Sequence, residues 1–182
     1  SAVSEYVVNN RKFNGSISFL ITGDEEGYAT NGTKKVVDYL KKRKEKINFC
    51  IVGEPTNPKK LGEMIKIGRR GSLTVELEIF GTQGHIAYPH LSNNPINTLV
   101  KICLELKKKK LDKGNKNFQP SNLEFTRIYV DNKAHNVIPA SAKTQFNVRY
   151  NNLQTASKLK KKINSIIKKI SKKSECKYKI NY

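Results

Sequence analysis

Carboxylates are scarce in this sequence, and a group of them stands where a metal site would be expected. Asp24–Glu26 follow the apolar run 16–22, and Glu54 follows a second apolar run at 49–52. Such runs are typical of buried parallel strands, and ligands of open α/β sheets bind at the carboxyl ends of strands. Because clustered carboxylates repel one another, a divalent cation bound between them would stabilise the cluster. A carboxylate that does not bind the metal could then act as the base that deprotonates a metal-bound water. A solvated acidic turn is the alternative.

A histidine stands between glycines in the segment 81–90 (GTQGHIAYPH), which follows a long alternating strand. His85 could bind a metal, transfer a proton or donate a hydrogen bond to a developing oxyanion. The alternative is a histidine whose hydrogen bonds are satisfied by the loop backbone. His90 is interpreted as a packing residue, and Asn93 or Asn94 as the cap of the next helix.

Basic residues form a third group that could do chemistry. Arg69 and Arg70 stand between glycines in the turn 66–72, and such paired guanidinium groups can hold a carboxylate bidentately. Solvated turn arginines are the alternative. Arg149 lies within an alternating strand and is expected on its polar side.

The elements that must position these groups fall into two patterns. Strand 16–22, helix 31–46 and strand 49–52 predict a parallel βαβ unit, and the polar stretch 56–60 (TNPKK) is a plausible hinge. A short strand is expected at 64–67. From Ser72 onward the predicted order is β-α-β-β-α-β, the ferredoxin-like arrangement. These elements are strand 72–80, helix 95–106, strands 122–130 and 143–150, helix 155–172 and strand 178–182.

Composition narrows the functional classes. The 182 residues are 37% hydrophobic and 27% charged, which is globular composition. No apolar run reaches membrane length and the first residues predict no signal peptide, so we expect a cytoplasmic protein without a membrane partner. The three cysteines are too dispersed for a disulfide framework or a CxxC metal site.

The net charge of +20 raises the question of a nucleic-acid partner. The basic residues are mostly lysine on helix-like runs, and asparagine and isoleucine, which share A/T-rich codons with lysine, are also abundant. Arginine, the residue that usually reads bases, is rare. The composition therefore favours solvated lysine-rich helix faces over nucleic-acid binding.

Several motifs, in order and with consistent spacing, resemble a family of di-zinc amidohydrolases and aminopeptidases, and within it the desuccinylase branch. They are TGDEEG (22–27), VGEPT (52–56), GRRGSL (68–73), GHIAYPHLSNNPI (84–96), HNVIP (135–139) and FNVRY (146–150). The resemblance implies two zinc ions per complete site, with cobalt as a possible substitute. It implies a small succinyl-amino acid substrate and a homodimer formed through a lid domain. The activity it implies is hydrolysis of a succinyl amide in bacterial lysine and diaminopimelate biosynthesis.

The resemblance also assigns residues to roles. Glu25 matches the general base, and Glu26 and Glu54 match zinc ligands. His85 matches the lid histidine that reaches the partner subunit's site and stabilises the oxyanion. Substrate contacts are assigned to five residues: Arg69, Ser72, Tyr88, Asn136 and Arg149.

The family's remaining metal ligands have no counterpart in the sequence, so the resemblance covers the middle portion of such an enzyme. It predicts part of a catalytic α/β domain at 1–62 and a lid or dimerisation domain at 63–177. Residues 178–182 would be the last lid strand or a return toward the catalytic domain. The chain alone is then expected to be inactive. An acetylornithine deacetylase-like aminoacylase and a non-catalytic dimerisation module are the alternatives.

Overall fold

Two helices are the regular elements among the described residues of the first part of the chain. The computed structural model describes residues 2–10, 12–25, 29–54 and 56–182, and the chain divides into the units 1–55 and 56–182. In the first unit, helix α1 spans Ala2–Asn9 and helix α2 spans Thr33–Lys42. Helix α2 is shorter than predicted because Arg43 ends it and Lys44 adopts a positive φ of 59°.

The strands predicted at 16–22 and 49–52 are not formed among the described residues of the first unit. Their apolar side chains are instead open to solvent, with Ile21 93%, Phe49 92% and Ile51 95% exposed. A parallel strand is stable only when neighbouring strands take its backbone hydrogen bonds and helices cover its faces. Neither condition is met in the described residues of this unit.

The second unit has the predicted β-α-β-β-α-β order, with two short strands added. Its long elements are β1 Gly71–Phe80, α3 Pro95–Lys108, β3 Asn122–Tyr129, β5 Ser141–Tyr150, α4 Ala156–Lys173 and β6 Lys177–Asn181. The short strands are β2 Gly84–His85 and β4 Val137–Ile138. The mixed fold class with a ferredoxin-like unit is confirmed. The strand expected at 64–67 is absent, and Ile67 is 97% exposed.

One antiparallel sheet with the order β3-β5-β1-β6 forms the frame of this unit. Along β1, Leu73, Val75, Leu77 and Ile79 are buried, while the residues between them face the other side. This period of two is what a strand requires when helices cover only one face of its sheet.

Helices α3 and α4 cover the buried face of the sheet. The Asn94 side chain accepts a hydrogen bond from the Ile96 backbone amide at 3.0 Å, so Asn94 rather than Asn93, the other residue considered, caps α3. Thr155 caps α4 through the Lys158 amide at 3.2 Å. The core they enclose with the strands includes Leu99, Leu159 and Phe146, of which Leu159 and Phe146 are fully buried. No helix in the described ranges is both long and apolar enough to cross a membrane.

Candidate functional site

The acidic group of the first unit is partly accounted for by a turn. One carboxylate oxygen of Asp24 accepts hydrogen bonds from the backbone amides of Thr30, at 2.8 Å, and Asn31, at 2.9 Å. The Asn31 amide contributes most to holding the pKa of Asp24 below its usual value. Asp24 is thus held by backbone amides six and seven residues further along the chain.

The predicted base and metal ligands are described only in part. Glu25 is exposed and Glu54 is half-buried, while Glu26 lies outside the described residues. No group of three or more potential metal ligands occurs among the described His, Cys, Asp and Glu residues.

His85 and Asn136 are brought together by the two short strands. Strand β2 pairs with β4 so that His85 lies opposite Val137, and the Ile86 amide donates to the Asn136 carbonyl at 3.0 Å. The Asn136 side-chain amide then lies 3.3 Å from His85 Nε2. The Ala87 amide donates to Nδ1 at 3.1 Å, so a neutral His85 carries its proton on Nε2. Because Nε2–H and the Asn136 Nδ2 group are then both donors, they do not bond to each other, and both are available to an acceptor on a ligand.

The loop that carries His85 is closed by its own backbone. Thr82 and Asn93 exchange two backbone hydrogen bonds at 2.9 and 3.0 Å. Gly81 permits this approach, because a Cβ on it would lie 2.0 Å from the Asn93 carbonyl oxygen. Tyr88 follows at the loop tip, 58% exposed, with its ring centroid 6.1 Å from that of His85.

A second cluster forms a basic groove in the same unit. Lys66, Gly68, Arg69, Arg70, Asn117, Phe118, Gln119 and Arg149 line the groove. No carboxylate is found among these lining residues. Arg149 lies opposite Ser72 across the β1–β5 pair, on the polar side as predicted. The Ser72 hydroxyl accepts a hydrogen bond from Asn147 Nδ2 at 3.0 Å and retains its own proton for a ligand.

The two neighbouring arginines of the turn differ in their partners. Arg70 donates to Asn122 Oδ1 at 3.1 Å, and with the Gln119 amide oxygen turned toward it, also to Gln119 at 2.8 and 2.9 Å. The side chains of Arg69 and Arg149 have no hydrogen-bond or ion-pair partner in the part of the chain that the structure describes. Arg70 therefore serves to hold Gln119, and Arg69 and Arg149 are the guanidinium groups available to an anion.

The two clusters lie toward opposite ends of the sheet. Ser72 stands at the beginning of β1, whereas Phe80 ends it and leads into the His85 loop. Eight residues of strand separate these positions by roughly 26 Å at about 3.3 Å per residue. A small substrate cannot contact both clusters of one chain.

Sequence reasoning did not single out the loop between α3 and β3. It contains Phe118 and Gln119 of the groove and is closed by Asp112, which accepts from the amides of Gly114, at 2.9 Å, and Ser121, at 3.1 Å. The signal available was the turn-forming string DKGN at 112–115. That string predicts a turn, but only the fold places the turn beside Arg69 and Arg149.

Comparison with known proteins gives a family match and close relatives. A family model described as "Peptidase dimerisation domain" matches residues 67–175. The chain is 64% identical over 181 residues to a succinyl-diaminopimelate desuccinylase of Pelagibacter ubique, covering 100% of this chain and 47% of that protein. A protein of the same name from Rickettsia felis is 52% identical over 169 residues, or 93% and 44% of the two chains. The chain thus spans about half the length of these curated relatives.

Solved structures resemble the fold at low sequence identity. An amidase of the hydantoinase/carbamoylase family from Burkholderia multivorans superposes with a TM-score of 0.54 and 12% identity over 62% of this chain and 27% of that one. An aminobenzoyl-glutamate utilization protein from Klebsiella pneumoniae superposes with a TM-score of 0.53 and 13% identity, over 62% of this chain and 28% of that one. These likenesses establish the fold alone.

Proposed function

The chain belongs to the peptidase dimerisation domain family, and we propose that it is part of a metal-dependent amidohydrolase that cleaves N-succinyl-L,L-diaminopimelate to succinate and diaminopimelate. The observation that carries this proposal is the 64% identity to a protein named for that activity, extending over the entire chain. In this proposal, residues 1–62 are part of the catalytic domain and 63–177 form the lid, with 178–182 continuing the lid sheet through β6.

The placement of the two clusters supports a site shared between two copies of the chain. The His85–Asn136 pair and the arginine groove cannot reach one small substrate within a chain, as their separation along β1 requires. Two lids in a dimer can supply one cluster each. We assign His85 Nε2–H to the developing oxyanion, with Tyr88 and Asn136 beside it. Arg69, Arg149 and Ser72 of the other copy are assigned to the substrate's carboxylates.

The proposed reaction also needs zinc, and no group of three or more potential metal ligands was found among the described residues. We propose that Glu26 and Glu54 are ligands and that the remaining ligands come from segments of the longer protein. Glu25 is assigned as the general base, since a carboxylate beside a metal can accept a proton from an attacking water. No step of the chemistry is assigned to the 182 residues alone.

The base assignment is tested with E25Q in the longer protein. Glutamine keeps the size of the side chain but cannot accept the proton, so kcat for succinyl-diaminopimelate should fall by about 10²–10⁴. Zinc content, measured by elemental analysis, should be unchanged. The matched control is E45Q, an exposed substitution in the same unit. Turnover within tenfold of wild type would contradict the assignment, and loss of zinc would make Glu25 a ligand instead.

An apolar patch at one edge of the sheet is proposed as the dimer surface. Ile128 pairs with the buried Thr144, which places Ile128 on the helix side of edge strand β3, yet it is 65% exposed. Helix α3 runs beside this edge, as the contact of Lys107 Nζ with the Leu123 carbonyl at 3.0 Å shows, and its Val100 and Leu104 are 48% and 56% exposed. The opposite edge, β6, carries lysines that discourage strand addition.

Charged substitutions in the patch test this surface. L104D and I128D should convert a dimer of the 182-residue chain into a monomer, because each buries a carboxylate in an apolar contact. Molar mass measured by light scattering after gel filtration gives the result. The matched control is L153D, an aliphatic residue of similar exposure (50%) on a loop elsewhere. A dimer that persists in both variants would place the interface on another surface.

A further inference from the structure

The α3–β3 loop forms one wall of the basic groove, and its conformation is fixed before any ligand arrives. Asn115 Oδ1 accepts from the amides of Asn117, at 2.9 Å, and Phe118, at 3.0 Å. The Asn115 amide donates to the Phe118 carbonyl at 2.8 Å. Gly114 makes the turn possible with a φ of 74°, and a Cβ there would lie 2.7 Å from the Phe118 carbonyl oxygen. The loop therefore presents residues 117–119 in one arrangement.

A buried polar lock ties this wall to the end of β5. Asn151 is 2% exposed, and its Nδ2 donates to Asp112 Oδ1 at 2.7 Å and to the Gln119 carbonyl at 3.1 Å. The backbone amide of Asn151 in turn donates to Ser121 Oγ at 3.0 Å. Because Gln119 also holds Arg70, the lock sets the distance between the loop and the turn 66–72.

The ring of Phe118 closes the groove at the turn. A Cβ on Gly68 would lie 3.1 Å from Phe118 Cζ, so the ring rests directly on the backbone of the turn. Phe118 is half-buried there, within the same groove as Arg69 and Arg149. The groove thus combines guanidinium groups without partners in the described chain with a fixed aromatic surface. This combination suits an anion with a short apolar stem better than a bare inorganic anion.

We propose that the loop Asp112–Ser121 is a specificity-determining wall, in which Phe118 covers the methylene stem of a carboxylate-bearing acyl group held by Arg69 and Arg149. Asp112, Asn115 and Asn151 are positioning residues that act through Phe118. The inference names the substrate class for the function proposed above and rests on it for the reaction. Binding of the anion itself involves only residues 66–151 and can be measured without turnover.

The test is titration of the 182-residue chain with succinate and, separately, with inorganic phosphate at 0.15 M NaCl, followed by backbone NMR shifts. In wild type, succinate should shift amides of 66–71 and 117–119. F118A should raise the Kd for succinate by about tenfold, the value of two uncovered methylene groups, and change that for phosphate by less than twofold. R149A should raise the Kd for both succinate and phosphate.

Two further variants make the result decisive. F80A, at the far end of β1, is the matched aromatic control and should leave both Kd values unchanged. N115A removes the turn contacts without touching the core and should raise the succinate Kd about threefold. Equal effects of F118A on both anions, an unchanged succinate Kd in N115A, or shifts spread over the α4 lysines would overturn the proposal. Failure of hydrolysis in the longer protein, with this binding intact, would refute the proposed function instead.

Discussion

Asp112 offers the sharpest test of how this fold is held together. Its Oδ1 accepts three hydrogen bonds, from the amides of Gly114 and Ser121 and from Asn151 Nδ2 at 2.7 Å. Hydrogen bonds to a charged group contribute about 1.5–3 kcal/mol, and a buried donor left without a partner costs about 1–3 kcal/mol. Asn151 retains one bond, to the Gln119 carbonyl. We therefore expect D112A to lower the free energy of unfolding by about 3 kcal/mol.

The charge on Asp112 gives this prediction a pH dependence. Burial by itself would raise the pKa of Asp112, but hydrogen bonds from Ser121, Asn151 and Gly114 outweigh burial and hold that pKa well below its usual range. The unfolded chain then binds a proton more readily than the folded one, so this stabilisation is complete above the unfolded pKa of about 4. It declines as the pH falls further toward the folded pKa.

Urea unfolding followed by circular dichroism at pH 7 and at pH 3 measures both effects. Wild type should lose more stability between these pH values than D112A, and D112N, which keeps the shape without the charge, should resemble D112A in its slope. The control is D131A, an exposed carboxylate outside the lock, expected to change stability by less than about 0.5 kcal/mol. A D112A effect below about 1 kcal/mol, or an unchanged acid slope, would refute the reasoning.

The remaining predictions concern the cysteines and the His85 loop. Burial raises the pKa of the Cys103 thiol to about 11, so iodoacetamide at pH 8 should modify the exposed Cys50 first, with mass spectrometry giving one rapid addition per chain and none in C50S. Rapid labelling of C50S would contradict the burial of Cys103 and Cys176. G81A should cost about 2 kcal/mol or more, because its Cβ meets the Asn93 carbonyl, and should shift His85 resonances. The control is G53A, which has no atom near its added Cβ and should change neither the stability nor the His85 resonances. Equal melting temperatures for G81A and G53A would count against the loop geometry.

Much of the second unit could be predicted from sequence because its signals are local. The alternation along β1, the Asn94 cap and the lysine-faced period of α4 each fix one element without knowledge of its neighbours. The strands expected at 16–22 and 49–52 depend instead on partners. An apolar run shows that a strand can be buried, but pairing and covering layers decide whether it is.

By itself, the sequence determined the ferredoxin-like order, the family and the residue types available for chemistry. The tertiary structure alone decided which of those residues meet. His85 lies against Asn136 because β2 pairs with β4, and Phe118 lies in the arginine groove because a buried Asn151–Asp112 contact joins segments 39 residues apart. Such contacts depend on the register of strands and on the packing of loops. These are properties of the assembled sheet, and no local pattern of residues encodes them.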